Sequence, residues 1–323
     1  MFVAPALLAP FALAGVAALT LAAALATPLK SPPTLASVHE GAMAIGRTGL
    51  PELTRFQARD GTWLAYRAYA PDGPDAGRVA ILEHGSSASS DEMNAVAHAL
   101  AKAGYGVVAV DNRGHGASGG RGDIGYLGQL DDDLADLMTQ LKASHPGAKF
   151  TLIGHSAGGG FVARVAAGPL ADQFERFVLL APYLGYRAPT NRPNEGAGQW
   201  AAVDMPRIVA LALLDRAGID WAQSLPVLGF AIAPQAIPFV TPHYSYRLMR
   251  NYASPDDWRA PFARSGARIE VIAGEDDELM NAAAYGPALE PYGAKVKVVP
   301  GVDHMGVVYK PAALAAIVEA AAS

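Results

Sequence analysis

The sequence predicts an α/β fold: a mostly parallel central sheet, helices on both of its faces, and an inserted cap. Three observations carry this. From residue 53 onward, short continuous apolar runs alternate with helical stretches, the pattern of buried parallel strands and their crossovers. The pentapeptide Gly154-His155-Ser156-Ala157-Gly158 stands at one strand-to-helix junction. The rhythm then breaks over residues 183–264, an interval far longer than the ~2–6 residues that usually join a strand to the next element.

Taken in order, residues 53–58 and 62–70 are β-rich runs joined at Asp60-Gly61, a strong hairpin signal. Residues 79–82 form a buried-strand run ending at His84-Gly85, and a helix over 91–102 is closed by Gly104. The next strand is 107–110; Leu127, Leu130, Leu134, Leu137 and Leu141 then predict a helix over 126–144. Strand 150–153, helix 158–167 and strand 177–180 follow, and after the interval come strand 269–272, a short helix, strand 296–299 and a helix from Pro311. This places the core at 53–182 and 265–323 and the cap at 183–264. The cap holds a predicted helix over 205–217 and is rich in aromatics, among them Trp200, Trp221, Phe230, Phe239, Tyr244 and Tyr246.

The chain has 323 residues, no cysteine and a formal net charge of −5. That charge argues against a nucleic-acid binder, which shows a basic stripe. The lack of cysteine excludes a disulfide framework, a thiol nucleophile and thiolate-held zinc. The charge is also unevenly placed, because the first ionisable side chain is Lys30. Residues 2–25 are apolar apart from Pro5, Pro10, Gly15 and Thr20. As a helix they reach about 36 Å, against roughly 30 Å of hydrocarbon. Two readings follow: an uncleaved membrane anchor, or a signal peptide cut after Ala26, where Ala24-Leu25-Ala26 resembles a small-residue cleavage site. Either puts the protein at, or beyond, the cell envelope. Residues 27–52, with Pro28, Pro32 and Pro33, read as a linker.

The pentapeptide fits G-x-S-x-G, and its setting between strand and helix is the one that this motif requires. Glycines flanking Ser156 permit a sharp turn that lifts the hydroxyl above the sheet edge. A serine needs a base, and of eight histidines only His304 follows the last strand, at the carboxyl edge where Ser156 also emerges. The base needs a carboxylate to hold its tautomer. Gly274-Glu275-Asp276-Asp277-Glu278 follows the intervening strand; Asp277 is the choice and Asp276 the runner-up. An oxyanion needs two N–H donors. Ala157, the residue after the serine, supplies one, and Ser86, in the loop after His84-Gly85, supplies the other.

Ser156, Asp277 and His304 stand in the chain order of the α/β-hydrolase superfamily, with its elbow, His-Gly loop and cap. The run Asp111-Asn112-Arg113-Gly114-His115-Gly116-Ala117-Ser118 is similar to the D-x-R-G-H-G-x-S loop of the monoacylglycerol lipase and lysophospholipase branch, the serine aminopeptidase S33-like group. The resemblance implies an α/β-hydrolase fold, and a serine hydrolase that cleaves carboxylic esters of lipids or acyl chains through an acyl-enzyme. It also implies that Arg113 and His115 brace their loop, and that no cofactor or metal is needed. Thioesterases, acyltransferases and serine peptidases use the same triad, and a non-catalytic relative shares the fold. A dinucleotide site at Gly158-Gly159-Gly160-Phe161-Val162-Ala163 is disfavoured, because Ser156 already occupies the strand–helix turn. The expected partners are an ester substrate and, through residues 1–26, a membrane.

Overall fold

A computed structural model describes residues 9–192 and 199–323. The chain begins with α1 (Ala9–Ala26) and α2 (Ala36–Ala44), followed by the hairpin β1 (Leu53–Gln57) and β2 (Trp63–Tyr69). Next come β3 (Arg78–Glu83), α3 (Asn94–Lys102), β4 (Gly106–Asp111), α4 (Gln129–Ser144), β5 (Lys149–His155), α5 (Ala157–Ala167) and β6 (Arg176–Leu180). The long interval holds β7 (Ala201–Val203), α6 (Met205–Arg216), β8 (Pro226–Phe230), β9 (His243–Ser245), α7 (Tyr246–Asn251) and α8 (Ala260–Ser265). The chain ends with β10 (Ile269–Gly274), α9 (Tyr285–Leu289), β11 (Lys295–Val299) and α10 (Pro311–Ala322).

Eight strands form one sheet in the order β1-β2-β4-β3-β5-β6-β10-β11. Only the β1–β2 and β2–β4 pairs are antiparallel; the rest are parallel. This is the mostly parallel α/β-hydrolase sheet that the sequence predicts. The apolar runs are continuous because both faces are covered. Along β3, Val79 and Ile81 join one buried cluster while Ala80 and Leu82 join the other, and β6 divides Phe177 and Leu179 from Val178 and Leu180 in the same way.

Four differences from the sequence reading have physical causes. The helix expected from residue 126 starts at Gln129, because Gly128 takes a positive φ of +98° that ends any helical run before it. The far end of the cap interval packs into the core: Trp258 and Phe262 are buried in the same cluster as Phe161 and Phe177. The stretch read as a linker carries α2, whose Val38 and Gly41 are buried. Finally, α1 is described over Ala9–Ala26. Among the described residues, no helix is long and apolar enough to cross a membrane, so the expected spanning segment is not found there; residues 2–8 of it lie outside the described residues. Leu21 and Leu25 of α1 instead pack on the small cluster of Leu211, Leu214, Ala222, Val227 and Tyr246.

The cap's own sheet is antiparallel, in the order β7-β8-β9. Phe230, Tyr244, Leu248 and Tyr252 from this interval are buried in the main core cluster. Cap and sheet are thus joined through a shared apolar interior.

Candidate active site

Ser156 lies between β5 and α5 with φ +52°, in the left-handed region that non-glycine residues seldom enter. The flanking glycines are what allow it. A Cβ on Gly154 would strike the Gly158 carbonyl, and one on Gly158 would strike the carbonyl of His84. The turn is tied down on its other side, where the Ser156 N–H donates to the Leu180 carbonyl at 2.8 Å and the Ser156 carbonyl accepts from Tyr183 N–H at 3.0 Å.

His304 follows β11, and its Nδ1 lies 2.9 Å from Asp277 Oδ2; both side chains are fully enclosed. The second oxygen of Asp277 accepts the N–H groups of Leu279 at 2.8 Å and Met280 at 2.7 Å. Burial works against an ionised Asp277, but the charge and hydrogen bond of His304 and those two N–H groups outweigh it and hold the carboxyl below its usual range. Burial likewise disfavours the imidazolium, yet the facing Asp277 raises His304 above the usual histidine range. Of the other acids in this loop, Glu275 and Asp276 are exposed, and Glu278 accepts the backbone N–H of His304 at 3.1 Å. Only Asp277 meets the imidazole.

With Nδ1 engaged, Nε2 is the His304 nitrogen left for the cavity that His304 and Ser156 line together. That cavity has a volume of about 100 Å³. Ile232, Ala233 and Val240 of the cap interval, with Leu279 and Met305, make much of its wall apolar. Ala157 opens α5, so its N–H is among those for which a helix offers no internal partner. In the loop after β3, the Gly85 N–H donates to Glu92 Oε1 at 2.7 Å and the Ser87 N–H to the Tyr244 hydroxyl at 2.8 Å. Neither bond uses the Ser86 N–H between them, and Ser86 lines the cavity with Ala88. The Ser86 hydroxyl accepts from Trp200 Nε1 at 2.7 Å. The arrangement therefore offers a hydroxyl, a base held in one tautomer by a buried carboxylate, and two N–H groups at the sheet's carboxyl edge.

The neighbouring polar groups are braced. His155 Nδ1 lies 2.8 Å from Glu92 Oε1, and its Nε2 is 3.2 Å from the His304 carbonyl. Burial opposes the Glu92 charge, but His155, His84 and the Gly85 N–H outweigh it and keep this carboxyl below its usual range. Arg113 holds Asp133 through two hydrogen bonds of 2.8 and 2.7 Å and Asp60 through two more of 2.9 and 3.1 Å. His115 Nε2 receives the Tyr244 hydroxyl at 2.7 Å. Sequence reasoning missed Glu92, Trp200, Tyr244 and all of α2. Glu92 reads as an ordinary acid at a helix start, and no motif marks the other three.

The fold and this constellation define an α/β hydrolase. Solved structures of similar architecture include a soluble variant of monoglyceride lipase from Saccharomyces cerevisiae (TM-score 0.61, 16% identity, covering 84% of this chain and 94% of that one). A monoacylglycerol lipase from Paleococcus ferrophilus is also similar (TM-score 0.58, 21% identity, covering 80% and 98%). The chain belongs to the serine aminopeptidase, S33 family of hydrolases, whose model matches residues 74–305. It is 28% identical over 254 residues to a monoacylglycerol lipase of Mycolicibacterium smegmatis, covering 69% of this chain and 85% of that one. It is 32% identical over 140 residues to a non-heme haloperoxidase of Rhodococcus erythropolis, covering 43% and 47%.

Proposed function

We propose that this protein is a serine hydrolase that cleaves carboxylic esters of acyl chains through an acyl-enzyme on Ser156. The observation that carries the reading is the buried Asp277–His304 pair at 2.9 Å beside a cavity that also holds Ser156 on its strained turn. His304 Nε2 takes the proton of the Ser156 hydroxyl as Oγ bonds to the ester carbonyl carbon. Ala157 and Ser86 N–H groups stabilise the oxyanion, each donor contributing roughly 3–4 kcal/mol. The alcohol leaves with the proton from His304. Water, activated by the same imidazole, then releases the acid and restores Ser156.

The apolar lining and the similarity to a monoacylglycerol lipase support an acyl-chain ester as substrate. An aminopeptidase reading is less well supported, because a substrate ammonium calls for a free carboxylate. Among the described residues the one carboxylate lining the cavity is Glu92, already committed to His155 and Gly85. Replacing the nucleophile tests the whole reading. Ser156→Ala should abolish turnover of p-nitrophenyl esters and labelling by a fluorophosphonate probe; labelling that persists would overturn it.

A further inference from the structure

The segment before the sheet contributes to the cavity. Val38, His39 and Ala42 of α2 line it together with Ser156 and His304. The helix has one inward face: Val38 and Gly41 are buried and Ala42 half-buried, while Ser37, Glu40, Met43 and Ala44 are exposed, and Ile45 just past its end is buried as well. Those inward positions recur at three- and four-residue spacing, as one face of a helix requires.

The seat of this helix is specific. A Cβ added to Gly41 would lie 2.5 Å from Cβ of Met305, the residue directly after His304, so only glycine lets α2 approach this closely. Val38 and Ile45 share a buried cluster with Met305, Val307 and Val308, and Ala42 packs against it. Both ends of the segment are fastened. Upstream, the Leu35 N–H donates to the Ala231 carbonyl of the cap interval at 3.3 Å. Downstream, the Asn94 amide donates to the carbonyls of Gly46 at 2.8 Å and Thr48 at 3.1 Å.

We propose that α2 is a specificity element of the substrate site: Val38 and Ala42 form a wall of the acyl-binding cavity, and the side chain at 42 limits the length of acyl group accepted. The proposal rests on the reading that Ser156 is the residue acylated. In a cavity of about 100 Å³ a few added carbons at position 42 displace a large share of the space. One methylene gained or lost in an apolar pocket changes relative rates by roughly 10-fold or more.

The test compares the full-length chain with Ala42→Leu on p-nitrophenyl octanoate and p-nitrophenyl acetate. The octanoate-to-acetate ratio of kcat/KM should fall about tenfold; a fall of less than threefold, or a rise, overturns the wall. Should leucine prevent folding, Ala42→Val must lower the ratio in the same direction. Met43→Ala, on the exposed face, controls for loosening of the helix: a matching fall there also overturns the proposal. If the unsubstituted chain turns over neither ester, it is the ester-hydrolase reading that fails; if it turns over both and the ratio is unmoved, only the role of α2 fails.

Discussion

The backbone N–H of Ser87, next to the proposed oxyanion donor, is held by the Tyr244 hydroxyl at 2.8 Å across 157 residues of sequence. The Tyr244 oxygen accepts that bond and its own proton goes to His115 Nε2 at 2.7 Å. Burial, with the nearby His84, pushes His115 well below the usual histidine range, so a neutral ring accepts there. Two further bonds join Ser87 to the cap interval, its hydroxyl donating to the Thr241 carbonyl at 2.7 Å and its carbonyl accepting from Thr241 N–H at 2.9 Å. The cap thereby fixes the loop that carries Ser86.

Tyr244→Phe keeps the ring packing and removes only this junction. It leaves two buried polar groups without a partner, a loss of about 1–3 kcal/mol each. We expect kcat for a p-nitrophenyl ester to fall about tenfold with KM little changed, since an oxyanion contact forms mainly in the transition state. Steady-state kinetics beside a thermal melt separate the two effects; a change in KM alone would contradict this role for Tyr244.

Asp277→Asn should lower kcat by about 10³–10⁴, because an amide favours the wrong imidazole tautomer and cannot stabilise the imidazolium. Asp276→Asn, altering an exposed neighbour, should stay within about twofold of the unsubstituted protein. A larger loss from Asp276→Asn would reverse the assignment.

The pH dependence follows from the raised His304 pKa. The base must be neutral to take the serine proton, so activity belongs to the high-pH side and is lost as His304 protonates. The acid limb of kcat/KM, which reports the free enzyme, should have its midpoint above the ordinary value of about 6.5. Asp277→Asn should move that midpoint down. A limb centred below the ordinary value would argue against His304 as the base.

Arg113→Ala should destabilise the fold by about 3 kcal/mol, the lower end for breaking a buried pair. The lower end applies because the Asp60 side chain is 32% exposed, although Asp133 is 10% exposed. Denaturant unfolding would show it; a loss under about 1 kcal/mol would make these pairs marginal.

The sheet was legible in the sequence because each strand is marked locally, by an apolar run and a turn residue. The elbow was legible for the same reason, since Gly154 and Gly158 stand within two residues of Ser156. Spacing alone did not distinguish Asp277 from Asp276; that depends on which side of a tight turn faces inward, and Gly274 packs directly against the Val302 carbonyl there. Glu92 reaches His155 across 63 residues and Tyr244 reaches Ser87 across 157, distances over which no periodic pattern operates. The inward face of α2 carries Val38, Gly41 and Ala42, which pack on or beside Met305, far away in sequence.

The parallel seam between β6 and β10 pairs Phe177 with Ile269 and Leu180 with Ile272. On one side of it hang Ser156 and the loop that carries Ser86; on the other hang Asp277 and His304. The chain that links the two sides runs through the whole cap, so their alignment comes from strand register and not from chain continuity. A slip of one residue along that seam would move His304 relative to Ser156 by about 3.3 Å. Residues could be added to or removed from the outer cap without altering this alignment, whereas a packing change at Leu180 or Ile272 would act on the reaction from beneath it.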